Sequence, residues 1–176
     1  MISKQIFTKS INGNRRAQKK LYKTYAQKMF IHCYRYVSNK EDAEDILAEG
    51  FIKVFNNLNN IEYRDPKSFE GWIRQIMINE CLAFLRKRKM LFYDFEESKI
   101  NENSYVINSN VDAEDIYKMI LSLPIGYRTV FNLYAIEGYS HTEISEKLNI
   151  ATSTSRSQLS KARAILKELI VKDNEL

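Results

Sequence analysis

Between Arg15 and Tyr36 the small or apolar residues Ala17, Leu21, Tyr25, Met29 and Cys33 recur every fourth position over an otherwise basic surface, with Tyr22 and Tyr36 on the flank. That spacing predicts an amphipathic helix. Ser38 and Glu41 then have the Ser-x-x-Glu spacing of a capping box, in which each side chain satisfies a free amide of the first turn. Beyond it Ala43, Ile46, Leu47, Gly50, Phe51, Val54, Phe55 and Leu58 alternate in steps of three and one, predicting a second helix. Asn56 to Ser68 is polar and turn-forming, and within it Asp65-Pro66 pairs a cap with a first-turn proline. The helix so opened runs to about Lys89 with Phe69, Trp72, Ile73, Ile76, Met77, Leu82 and Leu85 on its apolar face. It closes on Arg86-Lys87-Arg88-Lys89, where cations suit the negative end of the helix dipole.

Periodicity lapses over residues 90–111 and resumes at Ile116, Met119, Ile120 and Leu123. Pro124 breaks that pattern, Tyr127, Val130, Phe131, Tyr134 and Ala135 define the next helix, and Gly138 closes it. Ser140 and Glu143 make a second capping box for a short helix ending at Leu148, with Asn149 suited to the left-handed closing position. Thr152 or Ser153 can cap a last helix that buries Leu159, Ala162, Leu166 and Leu169. No alternation of period two is sustained. The pattern predicts an all-α fold of two small helical domains, residues 1–89 and 112–176, joined by a flexible linker over 90–111, the second domain containing a helix-turn-helix.

Composition narrows the function class. With 176 residues and 44% apolar content the chain can bury one modest core or two small ones. Cys33 and Cys81 fall on apolar stripes and read as reduced, buried thiols; His32 beside Cys33 is too little for a four-ligand metal site. No metal or other cofactor is expected. MISKQIFTKS is too poor in apolar residues for a secretory signal, and no run approaches the roughly 20 apolar residues of a membrane span, so a cytoplasmic protein without membrane insertion is expected. His32 and His141 have no nucleophile or carboxylate partner in a motif and no Gly-rich phosphate loop appears, which argues against an enzyme or a small-molecule substrate; His141, just after an N-cap, reads as exposed.

The net charge of +5 conceals an asymmetry: +9 over residues 1–90 (18 basic against 9 acidic), −6 over 91–115 (1 against 7) and +2 over 116–176 (8 against 6). A basic surface attracts polyanions through phosphate neutralisation, so nucleic acid is the first partner to weigh against a merely solvated surface. In a helix-turn-helix the second helix enters the major groove by its N-terminal half, which here offers Ser153, Thr154, Arg156, Ser157, Gln158, Ser160 and Lys161. Arg156 suits guanine and Gln158 adenine, while the hydroxyls and Lys161 suit phosphates; a plain solvated helical hairpin is the alternative. Upstream, Gln75, Asn79 and Arg86 share a stripe outside the apolar face, with Asn79 able to read a base edge and Arg74 and the basic run able to hold phosphates. Trp72 reads as core. Asp42, Asp45 and Glu49 suit a cationic protein partner or, equally simply, a solvated helix start.

YVSNKEDAEDILAEGFIKVFNNL followed by FEGWIRQIMINECLAFLRKRK resembles the second conserved region of bacterial sigma factors of the extracytoplasmic-function class. LPIGYRTVFNLY through GYSHTEISEKLNIATSTSRSQLSKAR resembles their fourth region. Together the two cover roughly residues 15–89 and 112–170, in the family's order. The resemblance implies a non-catalytic specificity subunit that binds core RNA polymerase and promoter DNA and is held inactive by a membrane-associated anti-sigma factor. It implies that Asp42, Asp45 and Glu49 with Phe51 dock on the polymerase. It also implies that Asn79, with Arg64, Arg74, Gln75 and Arg86, serves the −10 element, the loop Asn59 to Ser68 capturing a flipped nucleotide. The −35 element falls to Arg156, Ser157, Ser160, Lys161 and their neighbours, and the acidic connector, with Asp94, Glu96 and Glu97, to the polymerase cleft. The chain departs from the family pattern at Ala48, where Gln is common, at Ser153, where Gly is common, and at Ser155, where an apolar residue is usual. A stand-alone helix-turn-helix regulator, binding duplex operator without polymerase, is the alternative function.

Overall fold

In the computed structural model, which describes residues 2–88 and 113–173, the stripe Ala17, Leu21, Tyr25, Met29 and Cys33 is the buried face of a helix, α2 (Arg15–Val37). The Asn14 side chain caps its start by accepting from the Ala17 amide, and Ser38 ends it in the left-handed region at φ 53°. That conformation decides how the next helix begins. An N-cap needs an extended backbone, so Ser38, already used to turn the chain, cannot supply it. Asn39 caps α3 (Lys40–Asn57) instead, its Oδ1 accepting from the Asp42 amide at 2.9 Å, so the cap expected at Ser38 lies one residue later.

A 3₁₀ turn (Leu58–Asn60) leads to α4 (Pro66–Lys87), which starts as Asp65-Pro66 predicts: Asp65 Oδ1 accepts from the amides of Lys67 at 2.8 Å and Ser68 at 3.0 Å. These bonds, with the Ser68 hydroxyl first, hold the Asp65 carboxyl below its ordinary pKa. Phe69, Ile73, Met77, Ile78, Cys81, Leu82 and Leu85 are buried along α4. Gly50 on α3 faces the Met77 thioether so closely that a Cβ there would overlap it. Ion pairs tie the rims, Lys28 to Glu70 and, at 2.7 Å, Lys53 to Glu80. Cys33 and Cys81 meet in the interior, where burial first, then the neighbouring thiol, pushes Cys81 well above the usual thiol range, leaving it protonated and inert.

Ahead of this bundle lies a helix the apolar pattern did not single out, α1 (Lys4–Ile11), whose Phe7 and Ser10 are buried together with Ile2 just ahead of it. A helix of eight residues is marginal alone, so its order comes from docking on α2 and the 3₁₀ turn.

The chain divides into two compact units, Met1–Phe84 and Leu85–Leu176. In the second, α5 (Ala113–Ser122), α6 (Ile125–Phe131) and α7 (His141–Leu148) each pack on the long α8 (Thr152–Asp173). The Ser140–Glu143 capping box forms in both directions, and Asn149 closes α7 in the left-handed region at φ 53°. The helix through Tyr134 differs from its expectation. A π turn over Asn132–Ile136, with the Glu137 amide bonded to the Asn132 carbonyl at 3.0 Å, inserts an extra residue and rotates the face. Val130 is buried as expected, with Thr129, Asn132 and Leu133 beside it, whereas Ala135, within the π turn, is exposed and Tyr134 half-buried. Ile116, expected inside, is exposed. Arg128 is buried, its Nη1 donating to the carbonyls of Leu121 at 2.7 Å and Leu123 at 3.1 Å, which satisfies the end of α5.

Among the described residues there is no strand, and no helix is long and apolar enough to cross a membrane. Lys89, the connector 90–111 and its Asp94, Glu96 and Glu97 lie outside the described residues.

Candidate functional site

Helix α3 presents a face at steps of three and four: Asp45, Ala48, Glu49 and Ile52 are all exposed, with Asp42 half-buried at its start. Carboxylates surround an apolar side chain, since Ile52 is 58% exposed, the most of any large apolar residue among those described. Phe51, expected on this face, is not on it. It is 3% exposed and packs edge-on against Tyr22 at 4.7 Å and near Phe55 at 6.1 Å. The helical step of 100° between neighbours turns Phe51 into the core and Ile52 out. A face of this kind, acidic with an apolar centre, matches a cationic protein surface with an apolar spot.

On the adjoining side of α3 a cleft of about 260 Å³ opens against α4, lined by Lys53, Asn57, Asn60, Trp72, Ile76, Asn79 and Glu80. Trp72 is half-buried rather than core; it stacks on Phe69 at 5.7 Å and turns its remaining surface to the cleft. Asn79 is exposed, its Oδ1 accepting from Gln75 Nε2 at 3.1 Å. The Lys53–Glu80 pair spans the floor at 2.7 Å. An aromatic wall, three side-chain amides and a fixed pair of charges suit a flat ring with hydrogen-bonding edges, such as a base out of its stack. Of the residues proposed from sequence for this function, Asn79 lines the cleft and Gln75 orients it, while exposed Arg64 and Arg86 and half-buried Arg74 lie outside its lining. Trp72 and Asn57 were missed as site residues, whereas Asn60 belongs to the loop Asn59 to Ser68 expected to take a flipped nucleotide. The signal for Trp72 was available in the spacing: Phe69, Ile73 and Met77 repeat every fourth position as the centre of the buried stripe, which leaves Trp72 at its edge.

On α8, Ser153, Arg156, Ser157, Ser160 and Lys161 are exposed and Thr154 is half-buried, as a groove-entering helix requires. Ser157 Oγ is engaged locally with the Thr154 carbonyl at 3.0 Å, and Lys161 Nζ lies 5.8 Å from the centre of the Tyr127 ring. Gln158 departs from its expectation. It is 5% exposed, on the stripe Ser155, Gln158, Leu159, Ala162 that faces the core, and is unavailable to a base edge in this conformation. Apolar periodicity alone could not show that two polar residues extend the buried stripe.

Ser155 is fully buried, and its Oγ meets His141 Nδ1 at 2.9 Å. His141 is thus half-buried rather than exposed, stacked on Tyr134 at 4.5 Å, with the Arg163 guanidinium 5.6 Å from that ring. Burial first, then the positive charges of Arg156 and Arg163, lower the His141 pKa, favouring the neutral imidazole. Thr152 Oγ1 meets Ser145 Oγ at 3.4 Å across the turn. The hydroxyl at position 155, a departure from the usual apolar residue, therefore has a partner supplied by the preceding helix.

Comparisons with known proteins find matches for both halves of the chain. The family described as sigma-70 region 2 matches residues 21–90, and that described as sigma-70, region 4, matches residues 113–166. The ECF RNA polymerase sigma factor SigW of Bacillus subtilis is 31% identical over 158 residues, 82% of this chain and 83% of that one. The ECF RNA polymerase sigma factor SigE of Mycolicibacterium smegmatis is 29% identical over 159 residues, 86% of this chain, which spans 61% of that relative's length. Among solved structures, the sigma factor RpoE in complex with the anti-sigma factor NepR from Bartonella quintana aligns with 88% of this chain and 97% of its own, at a TM-score of 0.52 and 22% identity, a likeness of fold.

Proposed function

Because the chain belongs to the sigma-70 family, in its extracytoplasmic-function class, we propose that it binds core RNA polymerase and directs promoter-specific initiation through the three surfaces described, acting in the cytoplasm. The α3 face of Asp45, Glu49 and Ile52, with Asp42 at its start, docks on a basic surface of the polymerase. The α3–α4 cleft takes an unpaired base of the melted −10 element, Asn79 reading its edge and Trp72 its face, while Arg64, Arg74 and Arg86 hold phosphates nearby. Helix α8 reads the duplex −35 element with Arg156, helped by Ser153, Thr154, Ser157, Ser160 and Lys161. An anti-sigma factor is the inhibitory partner, by analogy with the Bartonella sigma factor, which was solved in complex with one.

The observation that carries this reading is the pairing of unlike surfaces in one unit: a carboxylate-and-isoleucine face beside an aromatic-and-amide cleft on the same helix. A stand-alone regulator has use for α8 but none for that pair. Measured with core polymerase, Asp45→Lys with Glu49→Lys should cut polymerase binding by an order of magnitude or more, as reversal of complementary charges does. Arg156→Ala should weaken duplex −35 binding by about tenfold, the worth of a bidentate base contact. Asn79→Ala should change preference within the melted −10 strand and leave duplex −35 binding as it was. Loss of all three activities together, or of none, contradicts the assignment.

A further inference from the structure

The match to sigma-70 region 2 begins at residue 21, yet the mostly exposed segment ahead of it sends two apolar side chains into the interior: Ile2 is 2% and Phe7 5% exposed. What these residues touch is specific. The Phe7 ring lies 5.1 Å from that of Tyr63 and edge-on to Phe69 at 5.3 Å, and Tyr63 and Phe69 are 5.8 Å apart. Tyr63 also donates its hydroxyl to the carbonyl of Ile2 at 2.7 Å. Tyr25 closes the cluster from α2, 5.9 Å from Phe69, its phenol raised in pKa by burial. Beyond Phe69 the next ring is Trp72, stacked at 5.7 Å, the aromatic wall of the cleft. Helix α1 also contacts the 3₁₀ turn Leu58–Asn60, which supplies Asn60 to the opposite wall.

Two routes thus join α1 to the cleft, one through rings to Trp72 and one through the turn to Asn60. The segment between them, Ile61 to Asp65, has no helical hydrogen bonding of its own, and Tyr63 anchors it against the amino-terminal stretch of chain. We propose that residues 2–11 are a positioning brace for the strand-reading cleft: Phe7 and the Ile2 carbonyl hold Tyr63 and Phe69, and through them Trp72 and Asn60, at the separation that admits an unpaired base. This rests on the cleft reading proposed above. The brace makes no contact with DNA. It lowers the entropy that Asn60, Trp72 and the 61–65 segment joining them would lose when a base enters the cleft, so its removal weakens strand capture while leaving the α3 docking face intact.

The test uses the full chain assembled with core polymerase and three variants, Phe7→Ala, Tyr63→Phe and Asn79→Ala. Three quantities are read: affinity for core polymerase, affinity of the holoenzyme for a fluorescein-labelled single strand from the −10 region of a promoter it transcribes, and amide exchange over residues 59–65. Phe7→Ala should weaken strand binding about tenfold and speed exchange at least as much, with core affinity within about twofold, as loss of preorganisation predicts. Tyr63→Phe, which keeps the ring and removes the bond to Ile2, should move both by about fivefold, the worth of one hydrogen bond. A folded Phe7→Ala with unchanged exchange and strand binding overturns the brace. So does an equal loss of core and strand affinity, which would make α1 a matter of stability alone. If circular dichroism shows Phe7→Ala unfolded, Tyr63→Phe decides on the same criteria. Asn79→Ala separates the two readings: if it leaves strand binding unchanged, the cleft assignment fails, and if it alone weakens strand binding, the brace fails.

Discussion

The two units bury themselves by different means. The first closes over apolar and aromatic side chains, with Ser10 and Arg35 as its buried polar residues among those described, and its working groups stand outside that core. The second buries Arg128, Thr129, Asn132, Ser155 and Gln158, and two of these lie on α8 itself, on either side of exposed Arg156 and Ser157. In the first unit, the packing of α3 and the contacts of its exposed face can be altered separately. In the second, packing and contact cannot be separated in this way, because the hydrogen bond that seats α8 and the side chains proposed to read DNA alternate along the same turns.

Neighbouring residues Phe51 and Ile52 give the widest separation. Phe51→Ala should cost the first unit about 3–5 kcal/mol, the range for emptying a buried aromatic site, seen in thermal unfolding. Ile52→Ala should leave stability within about 0.5 kcal/mol and weaken polymerase binding by about tenfold, as expected for an exposed apolar anchor. Arg128→Ala should cost the second unit about 3 kcal/mol, because two carbonyls lose their donor inside the fold. Ser155→Ala should cost about 1 kcal/mol and also weaken −35 binding, a coupling of packing to contact that the Phe51 and Ile52 pair does not show. The smallest effect is with pH. His141 is depressed in the folded chain relative to its ordinary 6.5, so the unfolded state takes up that proton first. Its contribution is present in full above about pH 6.5 and is lost as pH falls toward the folded value. Circular dichroism melts of wild type and His141→Asn between pH 7.5 and 5 should converge on the acid side; parallel curves would break the link between His141 and the seating of α8.

The same contrast explains how much of the molecule was legible in the sequence. Where burial is apolar, spacing located α2, α3 and α4 and nearly every inward residue on them. The exceptions have local causes. Ser38 was spent on the left-handed turn, so Asn39 became the cap, and Phe51, which the spacing puts on the buried stripe and the family resemblance on the docking face, follows the spacing and leaves Ile52 to face out. Helix α1 was illegible because eight residues give too few periods, and its partners Tyr63 and Phe69 lie more than fifty positions away. In the second unit the capping box and Asn149 were legible because capping chemistry is local. The inward turn of Gln158 and Ser155 was not, since a polar residue on a buried stripe shows only once its partner, here His141, is placed in space.

The central claim, that one chain joins polymerase docking to recognition of two separate promoter elements, is tested most directly by transcription in vitro. Core polymerase is supplied with a genomic promoter library, with and without this chain, and transcript starts are mapped. We expect chain-dependent starts downstream of an asymmetric pair of elements near −35 and −10, lost at the first element's sites with Arg156→Ala and re-ranked at the second with Asn79→Ala. Absence of any chain-dependent start, or binding of the chain alone to a palindromic duplex site without polymerase, would contradict it.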